Sequence, residues 1–176
     1  REIQLGRLEA ARLFASENHL NQITVSSPQD RIGLVAAGKT YYDLHEALGR
    51  LGLKDDDLRR YGIRLLKLGM IHPLEPAVIR EFAGGLEEVF VVEEKRDFVE
   101  LFLRDELYNL PDRPLILGKK DEKGRFLFPA YNELDADTIA RLLAPHLAKR
   151  LPTGHLSVAG LEGRSGVSEL PAVTTE

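Results

Sequence analysis

Two stretches of this 176-residue chain hold residue types whose spacing could do chemistry. The first, Gly33-Leu-Val-Ala-Ala-Gly38-Lys39-Thr40, satisfies the pattern G-x-x-x-x-G-K-[ST] of a phosphate-binding loop. In such a loop the first glycine follows a strand, and the backbone amides after it curl around phosphate oxygens. Here the residues between the glycines are Leu-Val-Ala-Ala, part of a continuous apolar run from Ile32 to Ala37. A run of that kind reads as a strand buried on both faces. The preceding residues, Ser26-Ser27-Pro28-Gln29-Asp30-Arg31, make a poor buried strand. If residues 32–37 lie in a sheet, too little loop remains to hold a phosphate. Val92-Glu93-Glu94 imitates the acidic strand end that would hold magnesium, so a stand-alone nucleotide-binding or regulatory α/β domain using Gly33–Thr40 is the alternative reading.

The second stretch is Val91-Val92-Glu93-Glu94-Lys95-Arg96. Successive side chains alternate at a strand end, so at most one carboxylate faces a given site. That one contacts a cofactor or a neighbouring domain, or else the pair is an acidic cap at the next helix's N-terminus, where negative charge is favourable. Both readings stay open. The five histidines, His19, His45, His72, His146 and His155, show no helical spacing with an acidic third partner and read as surface or packing residues. His72 is the exception to keep, because it follows a strand end and precedes Pro73. No serine sits in a G-x-S-x-G elbow. The glycines between 154 and 166 lack a strand before them and a helix after them. No catalytic residue and no metal ligand is assigned.

These residues need elements to hold them. Residues 5–20 read as a helix with Leu8, Ala11, Phe14 and Ala15 as its apolar stripe. Ile23-Thr24-Val25 is β-branched and strand-like. After strand 32–37, Gly38-Lys39-Thr40 reads as a loop, and Tyr41–Leu51 as a helix with Leu44, Ala47, Leu48 and Leu51 inward. Ile63–Leu68 is the next strand. Pro76 opens a helix that Gly84-Gly85 closes. Val89–Val92 is a strand, 96–108 a helix, Leu115–Leu117 a short strand and Asp121–Gly124 a hairpin-like turn. Asp135 opens a last helix, with Pro145 placed to kink it. Alternating strands and helices predict a three-layer αβα fold with a mostly parallel sheet. Ligand or partner contacts then gather at the carboxyl ends of the strands.

Composition sets the class. The chain is 43% hydrophobic and 30% charged, with net charge −4, so it reads as a folded globular domain with no basic stripe for nucleic acid. No apolar run approaches the ~18 residues of a bilayer span, and no basic amphipathic helix suggests a membrane surface. Cysteine is absent, which removes disulfides, thiolate nucleophiles and cysteine-held metal clusters from this chain and fits a cytoplasmic protein. A chain opening on Arg1 reads as a fragment. Residues 1–30 are expected to be an N-terminal helix and connector, 31–150 the α/β domain, and 151–176 a linker or tail toward a further domain.

From about residue 31 to 143 the sequence resembles one domain of the indolepyruvate:ferredoxin oxidoreductases, members of the 2-oxoacid:acceptor oxidoreductases. The likeness rests on four features in register. They are Gly33–Lys39 with Tyr41 or Tyr42; Leu66-Lys67-Leu68-Gly69-Met70 with His72-Pro73-Leu74; Val91–Lys95; and Ile116-Leu117-Gly118-Lys119. Their order resembles the module that looks like the C-terminal domain of transketolase. The resemblance implies an intact enzyme that uses thiamine diphosphate, magnesium, iron–sulfur clusters and coenzyme A. Such an enzyme decarboxylates arylpyruvates oxidatively to acyl-coenzyme A and reduces ferredoxin. Thiamine binding there uses a Gly-Asp-Gly motif, which this chain lacks. The resemblance thus implies a non-catalytic, interdomain module with no cofactor of its own. Its partners would be the other domains of the enzyme, with ferredoxin and a homodimer at the level of the intact protein. Contacts would come from Gly38, Lys39, Tyr41, Gly69, His72 and Glu93. Lys39 and His72 would attract an anionic group of substrate or coenzyme A.

Overall fold

A computed structural model describes residues 2–131, 133–152 and 156. Five strands, β1 (Asn21–Val25), β2 (Ile32–Ala37), β3 (Ile63–Leu68), β4 (Glu88–Val92) and β5 (Leu115–Leu117), form one sheet in the order β1-β3-β2-β4-β5. All neighbours are parallel except the edge pair β1–β3. The helices are α1 (Glu2–Glu17), α2 (Gly38–Arg50), α3 (Asp55–Tyr61), α4 (Pro76–Ala83), α5 (Phe98–Leu107) and α6 (Ala136–Ala148).

The pleat sorts the apolar residues into two layers. Leu34, Ala36, Leu65, Phe90, Val92 and Leu117 face α2, α3 and α6. Val35, Leu66, Leu68, Val89, Val91 and Ile116 face α4 and α5. Both sides of the central strands are therefore covered, which is why β2 and β4 read as unbroken apolar runs rather than alternating ones. At the opposite end of the sheet, buried Asp30 accepts from the Ser27 amide and hydroxyl and from Arg64 at 2.9 Å, tying the 26–30 turn to β3.

Four local expectations change. Gly38-Lys39-Thr40 is the first turn of α2 rather than a loop. Gly38 takes φ +52°, so the chain turns from β2 into the helix within one residue. Helix α3 lies in a stretch whose sequence predicts no element. It is short and charged, has Leu58 as its buried residue, and is held at its start by the Lys54 amide donating to Asp57. Helix α1 forms, but its expected stripe is not core: Phe14 is 60% exposed, and Ala15 is its buried residue among those described. The strand expected at 23–25 forms but begins two residues earlier, and β1 is the antiparallel edge of the sheet. Pro145 sits inside α6, which continues to Ala148. The tail expected from 151 onward lies outside the described residues except for 151, 152 and 156.

Candidate functional site

The chain leaves β2 through α2 toward β3 on one side and leaves β4 through α5 toward β5 on the other. The crevice between the carboxyl ends of β2 and β4 is the switch point where open α/β sheets hold ligands. All six residues singled out from sequence lie along the carboxyl edge of β3, β2 and β4, three adjacent strands.

Their surroundings divide them. Gly38 and Lys39 are exposed at the start of α2. Lys39 donates to Glu133 at 2.8 Å and to Asp43 at 2.9 Å, and these bonds hold its ammonium above the ordinary lysine range. Tyr41 is buried, its hydroxyl 2.8 Å from Thr24 Oγ1, and so packs α2 against the sheet edge. Tyr42 next to it is exposed and accepts from Lys67 at 2.8 Å, with the ammonium 4.8 Å from its ring centroid. The Gly69 amide donates to the Leu20 carbonyl and to Asn21 Oδ1. His72 is exposed and stacks edge-on against Phe98, ring centroids 6.3 Å apart.

Glu93 is buried. Its two carboxylate oxygens accept from the amides of Val99 and Glu100 at 2.9 and 3.0 Å, at the start of α5. Of the two readings of the acidic pair, the geometry of Glu93 is that of a helix cap, as orphan amides at a helix N-terminus demand. Burial pushes its carboxyl up, and the two amide donors pull the other way. Glu94 accepts instead from the Leu134 amide.

Sequence reasoning missed the residues that complete this knot. Glu100 is buried, accepts from the Lys119 amide at 2.8 Å and from Arg104 at 2.8 and 3.0 Å, and lies against Gly118. The Lys119 ammonium donates to the carbonyls of Glu93 and Pro129. Burial pushes its pKa down, opposed by the nearby carboxylates. The signal in the sequence was a glutamate at position 100 flanked by Val99 and Leu103, on the inward stripe of α5. An acid there needs partners.

Residues 133 and 134 lie across the switch point. Glu133 reaches Lys39 on α2, and the Leu134 amide reaches Glu94 after β4, while the Leu134 side chain is fully buried. The crevice that would take a ligand in an open α/β fold is bridged by the chain itself. Among the described residues no group of three or more His, Asp or Glu is placed to hold a metal ion, and no helix is long and apolar enough to cross a membrane.

A family model described as an indolepyruvate oxidoreductase domain matches residues 22–160. Indolepyruvate oxidoreductase subunit IorA of Methanothermobacter thermautotrophicus is 31% identical over 94 residues, 53% of this chain and 14% of that subunit. The Thermococcus kodakarensis subunit is 30% identical over 122 residues, 69% of this chain and 17% of that subunit. The chain thus spans between 14% and 17% of the length of these relatives. Among solved structures, 2-oxoglutarate:ferredoxin oxidoreductase from Magnetococcus marinus, with 2-oxoglutarate, coenzyme A and succinyl-CoA bound, matches with TM-score 0.50 and 15% identity. The match covers 72% of this chain and 19% of that one, a likeness of fold. A split-gene transketolase matches with TM-score 0.47 and 13% identity, over 74% of this chain and 42% of that one.

Proposed function

This chain belongs to the indolepyruvate oxidoreductase domain family, and from that premise we propose that it is a non-catalytic, domain-positioning module of a 2-oxoacid:ferredoxin oxidoreductase. The observation that carries the reading is the bridged switch point. Glu133 and Leu134 tie α2 to the end of β4 across the place where a ligand would enter. The buried acids nearby serve as structural caps: Glu93 holds the start of α5, and Glu100 holds the Lys119 amide. Groups committed to such bonds are poor candidates for proton transfer, which needs reach to a substrate atom.

For the intact enzyme we infer oxidative decarboxylation of an arylpyruvate to acyl-coenzyme A, with ferredoxin as electron acceptor, in a cytoplasmic homodimer. Thiamine diphosphate, when bound, supplies the electron sink for loss of carbon dioxide. The residues of this chain do not fit that cofactor or an iron–sulfur cluster: there is no Gly-Asp-Gly and no cysteine. Its own contribution is a rigid wall. Exposed His72 lines the carboxyl edge and would attract an anionic group of substrate or coenzyme A, and Lys39 would do so by exchanging its bonds to Glu133 and Asp43 for that group.

Two measurements test this. The isolated chain, given thiamine diphosphate, magnesium, coenzyme A, indolepyruvate and an electron acceptor, shows no turnover. It also shows no thermal shift with these ligands, where a true ligand at 100 times its Kd would stabilise by ~2.7 kcal/mol. A shift with magnesium-ATP would instead revive the nucleotide-binding alternative. In the assembled enzyme, Lys39→Ala raises KM for coenzyme A and leaves kcat near wild type. Unchanged KM and kcat would remove Lys39 from the contact surface.

A further inference from the structure

The solvent side of α5 is built unlike that of a free-standing domain. Its inward stripe is Val99, Leu103 and Leu107, as packing requires. Yet Phe98 and Leu101 point outward, 47% and 57% exposed. Ile71, 40% exposed, and the His72 ring continue the surface, with His72 stacked on Phe98. Lys95 and Arg96, both exposed, lead directly into Phe98, and neither forms an ion pair among the described residues. An outward helix face is normally polar. A contiguous apolar patch rimmed by polar groups marks an interaction surface.

We propose that Ile71, His72, Phe98 and Leu101, flanked by Lys95 and Arg96, form the seat of a neighbouring domain of the same oxidoreductase, one that presents an apolar centre with acidic residues at its rim. Three observations choose this occupant. The relatives of this chain are subunits of which it spans 11% to 17%, so most of the related polypeptide lies outside this domain and is available to cover it. The cations beside the patch have no carboxylate partner within the described residues, and charge complementarity asks the partner for one. The patch also runs into the carboxyl edge of the sheet through His72, the end where open α/β sheets hold ligands, so a domain seated here would lie beside that end. This rests on the modular reading above and sharpens it by naming the face.

The test is photo-crosslinking in the assembled oxidoreductase. A benzophenone amino acid replaces Leu101 or, as a control away from α5, Lys123 in the 121–124 turn. Crosslinked peptides are mapped by mass spectrometry. The expected result is a crosslink from position 101 to an Asp- or Glu-flanked apolar segment of another domain, none from position 123, and loss of the 101 crosslink when Lys95 and Arg96 are both changed to Glu. Failure of position 101 to crosslink, or a crosslink only to a second copy of this same face, overturns the proposal. Turnover by the isolated chain decides the modular reading separately, so the two failures are distinct.

Discussion

Glu93 and Glu100 show how a carboxylate beside a candidate contact surface becomes structural. Each is a carboxylate near a strand end, and each spends both oxygens on donors inside the fold. Gly118 is what lets Glu100 sit there: a Cβ at 118 would lie 2.2 Å from Glu100 Oε2 and 2.6 Å from its Cδ. Gly118→Ala therefore pushes the carboxylate off the Lys119 amide and leaves buried polar groups short of partners. The expected cost is about 1–3 kcal/mol, read as a lower urea midpoint with unchanged m-value. His146 makes a second residue-scale prediction. Its ring is buried edge-on against Phe90, and Nδ1 has no hydrogen-bond partner. Burial holds its pKa below the exposed value of 6.5, opposed by Glu122 and assisted by Lys149 and Arg150. As pH falls through that value the unfolded chain takes up the proton and the fold does not, so this residue costs stability on acidification. Glu88 and Glu93, both held up by burial, act in the opposite sense. Comparison with His146→Phe cancels them: the Tm of the variant gains on that of wild type as pH drops from about 7.5 to about 5. A constant gap between the two would refute the assignment.

At the scale of elements, β2 decides between the two readings of its own sequence. Ile32–Ala37 pairs in parallel with β3 on one side and with β4 on the other. Its amides are thus committed to the sheet, with Gly33 paired inside the strand and Gly38 at its end. Hydrogen exchange checks this directly. Amides of Leu34, Val35 and Ala36 should exchange only through global unfolding, while those of edge strands β1 and β5 exchange faster through local opening. Fast exchange in β2 would contradict the pairing. The central strands were legible as unbroken apolar runs and helices such as α2 and α4 by their period, with Gly38, Gly52, Gly69 and Gly84 marking where β2, α2, β3 and α4 end. Helix α3 was not, since a seven-residue helix with Leu58 as its buried residue shows no period. The start of α2 was misplaced because the turn is made by the backbone of Gly38, and a side-chain pattern does not report φ.

At the scale of the whole molecule, one sheet carries two helical layers. Strands β2, β3 and β4 contribute side chains to both, so neither layer can be lost while the other stays. Urea unfolding should be a single transition. Tryptophan probes at Phe102, against the α4–α5 layer, and at Leu142, against the α2–α6 layer, should each report the same midpoint as the circular dichroism of the same variant. Separate midpoints would mean that the layers unfold independently. The sequence alone determined the fold class, the strand order along the chain and the absence of cysteine chemistry, because periodicity and composition are local properties that survive without coordinates. Only the tertiary structure decided which strand-end residues are free. Whether Glu93, Lys39 or His72 faces solvent depends on segments far away in the chain, α5 and residues 133–134, and no local pattern records where a distant segment comes to rest.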